Sequence, residues 1–153
     1  MRNERNFYCR GFTLIELLVV VAIIGILMSL SFVGFSQARK MGRDSKRKAD
    51  LEQIRSAIEL YRSDVGSYPP SDSIPADCGS HSLIYQTDTY TDTYMATIPT
   101  DPACPNQYYR YYLIDANHYC LCAFTETFSS GDTSCCRDSC GNGITCNYAV
   151  KNP

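Results

Sequence analysis

A single carboxylate stands at the front of a long apolar run. From Leu17 to Phe35 nineteen consecutive residues carry no charge, and Glu16 immediately precedes them. As a helix rising ~1.5 Å per residue, the run would cover about 28 Å, close to the hydrocarbon thickness of a bilayer. An ionised acid beside lipid costs roughly 2–4 kcal/mol, so Glu16 calls for a partner. A cationic amine would serve, because an ammonium and a carboxylate in low dielectric each lower the other's burial cost. Two other readings remain open. Glu16 could reach the headgroups as the edge residue of a simple anchor. Alternatively, Ser36-Gln37-Ala38 after the run satisfies the small-residue rule of an ordinary secretory signal.

Sulfur is the second chemistry-bearing set. Cys9 lies ahead of the apolar run, and eight more follow it: Cys78, Cys104, Cys120, Cys122, Cys135, Cys136, Cys140 and Cys146. Dense, even cysteine in a small domain points to disulfides formed in an oxidising compartment, with the pairing left open. Zinc competes, since Cys120-x-Cys122 and Cys136-x3-Cys140 with Cys146 offer thiolates, although paired CxxC knuckles are absent. Catalysis finds no motif. His81 and His118 have no nucleophile or carboxylate at a characteristic spacing, and no phosphate loop, metal-binding helix or nucleophile elbow occurs. We expect no enzyme and no resident cofactor.

The elements that would position these groups follow from periodicity. No Pro or Gly interrupts Ser45 to Val65, where Leu51, Ile54, Ile58, Tyr61 and Val65 recur three and four apart. This spacing predicts a helix with one apolar stripe, continuous with the apolar run from Phe12 to about Val65 and roughly 80 Å long. Gly34 and Gly42 are its weak points. Glu59 and Arg62 are within reach of each other on it. Gly66 and Pro69-Pro70 stop it. Residues 71–93 read as a polar loop with one short helix near Ser82–Gln86, and the Thr-Asp-Thr-Tyr echo at 87–90 and 91–94 is too short to be a repeat. Strands are expected at Tyr108–Ile114, His118–Thr125 and Cys146–Lys151, forming a three-stranded antiparallel sheet over the stripe of Leu51, Ile54, Ile58 and Tyr61.

Charge is divided along the chain. The net value is −2, yet residues 39–48 hold Arg39, Lys40, Arg43, Lys46, Arg47 and Lys48 against Asp44 alone. Beyond Gly66, nine acids face only Arg110, Arg137 and Lys151. The basic collar reads as a contact for anionic headgroups or for acidic faces of neighbouring subunits, or as a solvated helix turn. With most of the chain acidic, no nucleic-acid partner is expected. Counting basic residues beside the span would place the collar in the cytoplasm, because only Arg2, Arg5 and Arg10 precede it. The cysteines argue instead for a head outside.

Gly11-Phe12-Thr13-Leu14-Ile15-Glu16 resembles the prepilin cleavage and methylation motif of type IV pilins and type II secretion pseudopilins. The stretch from Ile54 to Pro69, ending in a Tyr-Pro exit, and Ile98-Pro99-Thr100-Asp101-Pro102 resemble the major pseudopilin. The resemblance implies an α+β, type IV pilin-like fold: a long N-terminal helix, transmembrane in its first half, packed on a small antiparallel sheet with a Cys-rich C-terminal loop. Residues 1–11 would be a leader, 12–35 the membrane and polymerisation segment, and 36–153 the amphipathic helix with a disulfide-rich head. A prepilin peptidase/methyltransferase would cut between Gly11 and Phe12 and methylate the amine of Phe12. Cys9 would leave with the leader, and Glu16 would neutralise a neighbour's amine during assembly. A loop in the position of residues 129–143 binds calcium in the major pseudopilins, which makes Asp132 and Asp138 candidate ligands here.

The implied function is that of a structural subunit in a pilus-like filament of a type II secretion system. It would polymerise with itself and work with minor pilins, an inner-membrane assembly platform and membrane lipid. The chain would cross the inner membrane once, N-terminus cytoplasmic and head outside. Two alternatives stand beside this: a type IV pilin of a surface pilus for adhesion, motility or DNA uptake, and a membrane-tethered binding module that does not polymerise.

Overall fold

The computed structural model describes residues 11–127, 133–136 and 139–152, apart from the side chains of 30–33. Helix α1 spans Leu14–Val65. It begins two residues later than expected because Thr13 acts as its cap, and it runs through Gly25, Gly34 and Gly42 without a break. The chain divides into two compact units, residues 1–38 and 39–153. In the first, α1 is long and apolar enough to cross a membrane by length and composition, with a mean hydropathy of 2.8 over its most apolar window. Its side chains from Leu14 to Met28 are broadly exposed, as an apolar surface meant for lipid or other helices would be.

The second unit is built on the amphipathic part of α1. Leu51, Ile54, Ala57, Ile58 and Tyr61 bury their stripe in one core with Tyr109 and with Tyr111, Tyr119, Leu121, Ala123 and Val150 of the sheet. Gly66 ends the helix at φ 83°, a left-handed conformation that suits glycine, and its N–H donates to the Arg62 carbonyl at 2.8 Å. The chain then passes a 3-10 turn at Ser71–Ser73.

Residues 71–93 correct our expectation. Instead of a loop with a short helix near Ser82–Gln86, the segment forms strand β1, Leu83–Gln86, paired antiparallel with β2, Thr91–Met95. The Thr-Asp-Thr-Tyr echo is the turn and second strand of this hairpin. Thr87 closes the turn, its N–H donating to the Tyr90 carbonyl at 2.9 Å. The β-branched and aromatic residues of the two short runs were the missed signal.

The three-stranded antiparallel sheet is present in the order β3-β4-β5, with β3 at Arg110–Asp115, β4 at His118–Ala123 and β5 at Tyr148–Lys151. The central strand is buried on both faces from Tyr119 to Ala123. Its Tyr119, Leu121 and Ala123 face the helix core, while Cys120 and Cys122 belong to a second cluster with Cys140, Cys146, Tyr112, Phe124 and Ala149. A strand with period-two side chains thus joins an apolar layer to a sulfur layer.

Candidate functional site

The start of α1 carries the first candidate. Gly11 and Phe12 precede the helix without regular structure, and Phe12 is 81% exposed. The Gly11–Phe12 peptide bond therefore lies ahead of the helix. Thr13 and Glu16 form a reciprocal cap. The Glu16 N–H donates to Thr13 Oγ1 at 3.3 Å, while Glu16 Oε2 accepts from the Thr13 N–H at 2.9 Å and from Thr13 Oγ1 at 2.8 Å. This is a capping box, in which a threonine three residues before a Glu or Gln satisfies helix donors that have no intrahelical acceptor. In the single chain, then, Glu16 already has partners, all from Thr13. Sequence reasoning assigned Glu16 a cation and missed the cap, whose Thr-x-x-Glu signature was in plain view.

A second site lies in the other unit, around Arg47, which is fully buried. All five of its N–H donors are used. Nε and Nη2 make a fork to Asp101 at 2.8 and 3.1 Å. Nη1 donates to Asp44 at 2.8 Å and to Glu126 at 3.0 Å, and Nη2 also reaches Gln107 at 2.8 Å. Arg43 adds a second fork to Glu126, both contacts at 2.6 Å. Asp44 accepts in addition from the backbone N–H groups of Glu126 and Thr127 and from the Thr127 hydroxyl. The planar guanidinium suits this work, since it can serve carboxylates two at a time.

The network takes Arg47 and Asp44 out of the collar, since buried groups offer no surface to lipid or neighbouring subunits. Arg47 and Asp44 are buried and Arg43 is half-exposed, and together they fasten α1 to Asp101 and to the segment after β4. Burial pushes the Asp44 carboxyl up, but hydrogen bonds from Thr127, the backbone and Arg47 outweigh it and hold it below the usual range. Glu126 is held low chiefly by Arg43. Lys40 and Lys46 keep exposed positions, open to anionic headgroups or to acidic faces.

Tyrosines line the helix–sheet seam. Tyr119 donates to Glu59 Oε1 at 2.9 Å, Tyr109 to Asp50 at 2.7 Å, and Tyr111 to the Pro69 carbonyl at 2.8 Å. Glu59 and Arg62, expected as a pair, meet instead through Tyr68, whose hydroxyl accepts from Arg62 Nη1 at 2.5 Å and donates to Glu59 at 3.3 Å.

The eight cysteines beyond the apolar run pair as Cys78–Cys104, Cys120–Cys135, Cys122–Cys136 and Cys140–Cys146. Cys78–Cys104 ties the segment before β1 to the turn after Asp101. Cys120–Cys135 and Cys122–Cys136 hold the C-terminal loop to the outer face of β4, and Cys140–Cys146 closes a short loop of its own ahead of β5. The loop is also seated by Gly141, at φ +120°, where any Cβ would strike the Asn106 carbonyl. The candidate calcium ligands Asp132 and Asp138 lie outside the described residues. His118 begins β4 with Nδ1 2.8 Å from Asp115, and His81 lies 2.7 Å from Asp77, both exposed side chains in local pairs.

Comparison with known proteins places these features in a family. Residues 6–32 match the prokaryotic N-terminal methylation motif, and residues 35–131 match the model of type II secretion system (T2SS) protein G. The chain is 30% identical over 102 residues to the type II secretion system core protein G of Pectobacterium carotovorum subsp. carotovorum, a match covering 65% of each. It is 32% identical over 95 residues to the same-named protein of Klebsiella michiganensis, covering 61% of this chain and 67% of that one. It is also 39% identical over 66 residues to the type IV major pilin protein PilA of Myxococcus xanthus, covering 43% of this chain and 29% of that protein. The chain thus spans a little under two thirds of the Pectobacterium relative and under a third of the Myxococcus one. No solved structure matches the chain.

Proposed function

The chain belongs to the type II secretion system protein G family, and from that premise we propose that it is the major pseudopilin type of subunit in a pilus-like secretion filament. The observation that carries this reading is the family match over residues 35–131, preceded in the same chain by the methylation motif. On this reading a prepilin peptidase/methyltransferase removes residues 1–11 and methylates Phe12. The exposed apolar half of α1 holds the subunit in the inner membrane until it enters the filament through an assembly platform together with minor pilins. The head lies outside the cytoplasm, where the paired cysteines keep their bonds. A surface-pilus reading rests on the shorter match to the Myxococcus pilin. Filaments on the cell surface that persist after loss of the secretion apparatus would favour it.

Glu16 has the central part in this proposal, and the capping box sharpens its test. In the filament, the new amine of a neighbour's Phe12 shares a low-dielectric layer with Glu16, which leaves Thr13 to neutralise it. Glutamine can still cap a helix at this position, because the box accepts Glu or Gln. It carries no charge, however. A capping role alone predicts that Glu16→Gln assembles normally and that only Glu16→Ala is impaired. The charge role predicts that both variants are processed and inserted yet fail to join filaments, since an unpaired buried charge costs about 3–5 kcal/mol. Filament yield of the two variants, beside a check of leader removal, decides it. Wild-type filaments from Glu16→Gln would refute the charge role.

A further inference from the structure

Four sulfurs from two segments of the head converge on one point. Cys120 and Cys122 are two residues apart on β4, so they project from the same face, and both are fully buried. Cys135 and Cys136, adjacent in the C-terminal loop, come down on them half-buried. All four Sγ atoms lie within 4.8 Å of one another. The contacts outside the bonded pairs are informative: Cys120 Sγ is 3.6 Å from Cys122 Sγ and 3.9 Å from Cys136 Sγ. A zinc ion held by four thiolates at about 2.3 Å has sulfurs about 3.8 Å apart along each tetrahedral edge. The two cross-pair distances from Cys120 therefore sit at that edge length, and no separation in the group exceeds it by more than about 1 Å. Phe124, Tyr112 and Ala149, each partly buried, pack against the same sulfur cluster.

We propose that in the reduced chain, as it exists before its disulfides form, Cys120, Cys122, Cys135 and Cys136 hold one thiophilic d10 cation, Zn2+, as a tetrathiolate, and that oxidation ejects it. Binding releases four protons from the four thiols, leaving a centre of net charge −2. Oxidation by two equivalents of a disulfide oxidant removes four electrons from the thiolate sulfurs. The Cys120–Cys135 and Cys122–Cys136 bonds form, Zn2+ departs, and each oxidant, taking up two protons, leaves as two thiols. The centre would hold the C-terminal loop on β4 and keep its most crowded cysteines from mispairing until oxidation. Cys78–Cys104 and Cys140–Cys146 stand outside it. The inference does not depend on filament assembly.

The test uses the full-length chain in detergent, prepared reduced and then oxidised, titrated with Co2+ and afterwards with Zn2+. The reduced chain should take up one equivalent of Co2+ with intense thiolate-to-metal charge-transfer and tetrahedral d–d bands, which Zn2+ then abolishes. The oxidised chain should bind none. Cys135→Ser with Cys136→Ser, both on the loop and so sparing the sheet, should lose the bands while far-UV circular dichroism is kept. Cys140→Ser with Cys146→Ser and Cys78→Ser with Cys104→Ser should each keep them. A reduced, folded chain that binds no Co2+ would overturn the proposal. So would bands that survive loss of Cys135 and Cys136, or that vanish with Cys140 and Cys146 in a folded chain.

Discussion

Arg47 shows how much one residue carries. Its charge is fully desolvated and every donor is used, so truncation leaves Asp44, Asp101 and Glu126 facing one another without their common cation. Arg47→Ala should destabilise the head by about 3–5 kcal/mol, as broken buried ion pairs do, measured as a fall in the denaturant midpoint. Lysine should rescue little, because a point charge cannot reproduce two forks. The same network sets an acid limit. Asp44 and Glu126 have folded-state values held below their ordinary ones. Their contribution is therefore complete above the unfolded values near about pH 4–4.5 and is lost as pH falls through the folded ones. Thermal scans should show stability declining below about pH 4, and Arg43→Ala should diminish the decline by releasing Glu126. In the sequence, Arg47 was legible only as one of six basic residues. Asp44, three positions away, was in reach on the same helix face, but Asp101 and Glu126 lie 54 and 79 positions away, and pairings that distant leave no local signature. Asp101 was nearer to being found, since its Ile-Pro-Thr-Asp-Pro turn stood out without revealing what the carboxylate holds.

At the scale of elements, the long helix and the three-stranded sheet were readable because each has a strong period and clear stops. The β1–β2 hairpin was not. Its strands are short and Thr/Asp-rich, and only Leu83 and Met95 of the pair are buried in the core, so alternation was faint. The two-sided burial of β4 explains why its sequence, Tyr-Cys-Leu-Cys-Ala, reads as nearly uniform apolar rather than alternating. It also predicts separable behaviour. The helix-facing layer is held by packing, whereas the outer layer has few apolar residues beyond its sulfurs. Mild reduction with metal excluded should raise amide exchange in residues 133–146 while β3, β4 and Leu51–Tyr61 of α1 stay protected. Leu51→Ala or Ile58→Ala should do the reverse, destabilising the helix-facing core by about 2–5 kcal/mol with all four disulfides intact. Reduction that unfolds helix and loop together would show that the sulfur layer supports the whole head.

For the whole molecule, processing decides which residues remain to anchor and assemble it. Residues 1–11 are few and basic, and on the proposed reading the apolar run behind them must be retained if the subunit is to be anchored and to assemble. An ordinary signal peptidase cutting after Ser36-Gln37-Ala38 would discard Glu16 and the exposed apolar half of α1. It would also cut inside the helix, since Ala38 and Arg39 are both helical. The Gly11–Phe12 bond is ahead of the helix, next to a Thr13 cap that fixes where the helix begins. Cleavage there removes Cys9 and leaves an even set of cysteines, so no thiol is stranded. Intact mass of the membrane-extracted protein should therefore correspond to residues 12–153 with one methyl group added and four disulfides formed. Thiol titration of the unfolded, unreduced chain should find almost nothing to react. A mature chain beginning at Arg39 would remove the membrane segment and the filament reading together. A chain beginning at Phe12 without the methyl would leave the anchor and Glu16 in place and set aside only the methylation step.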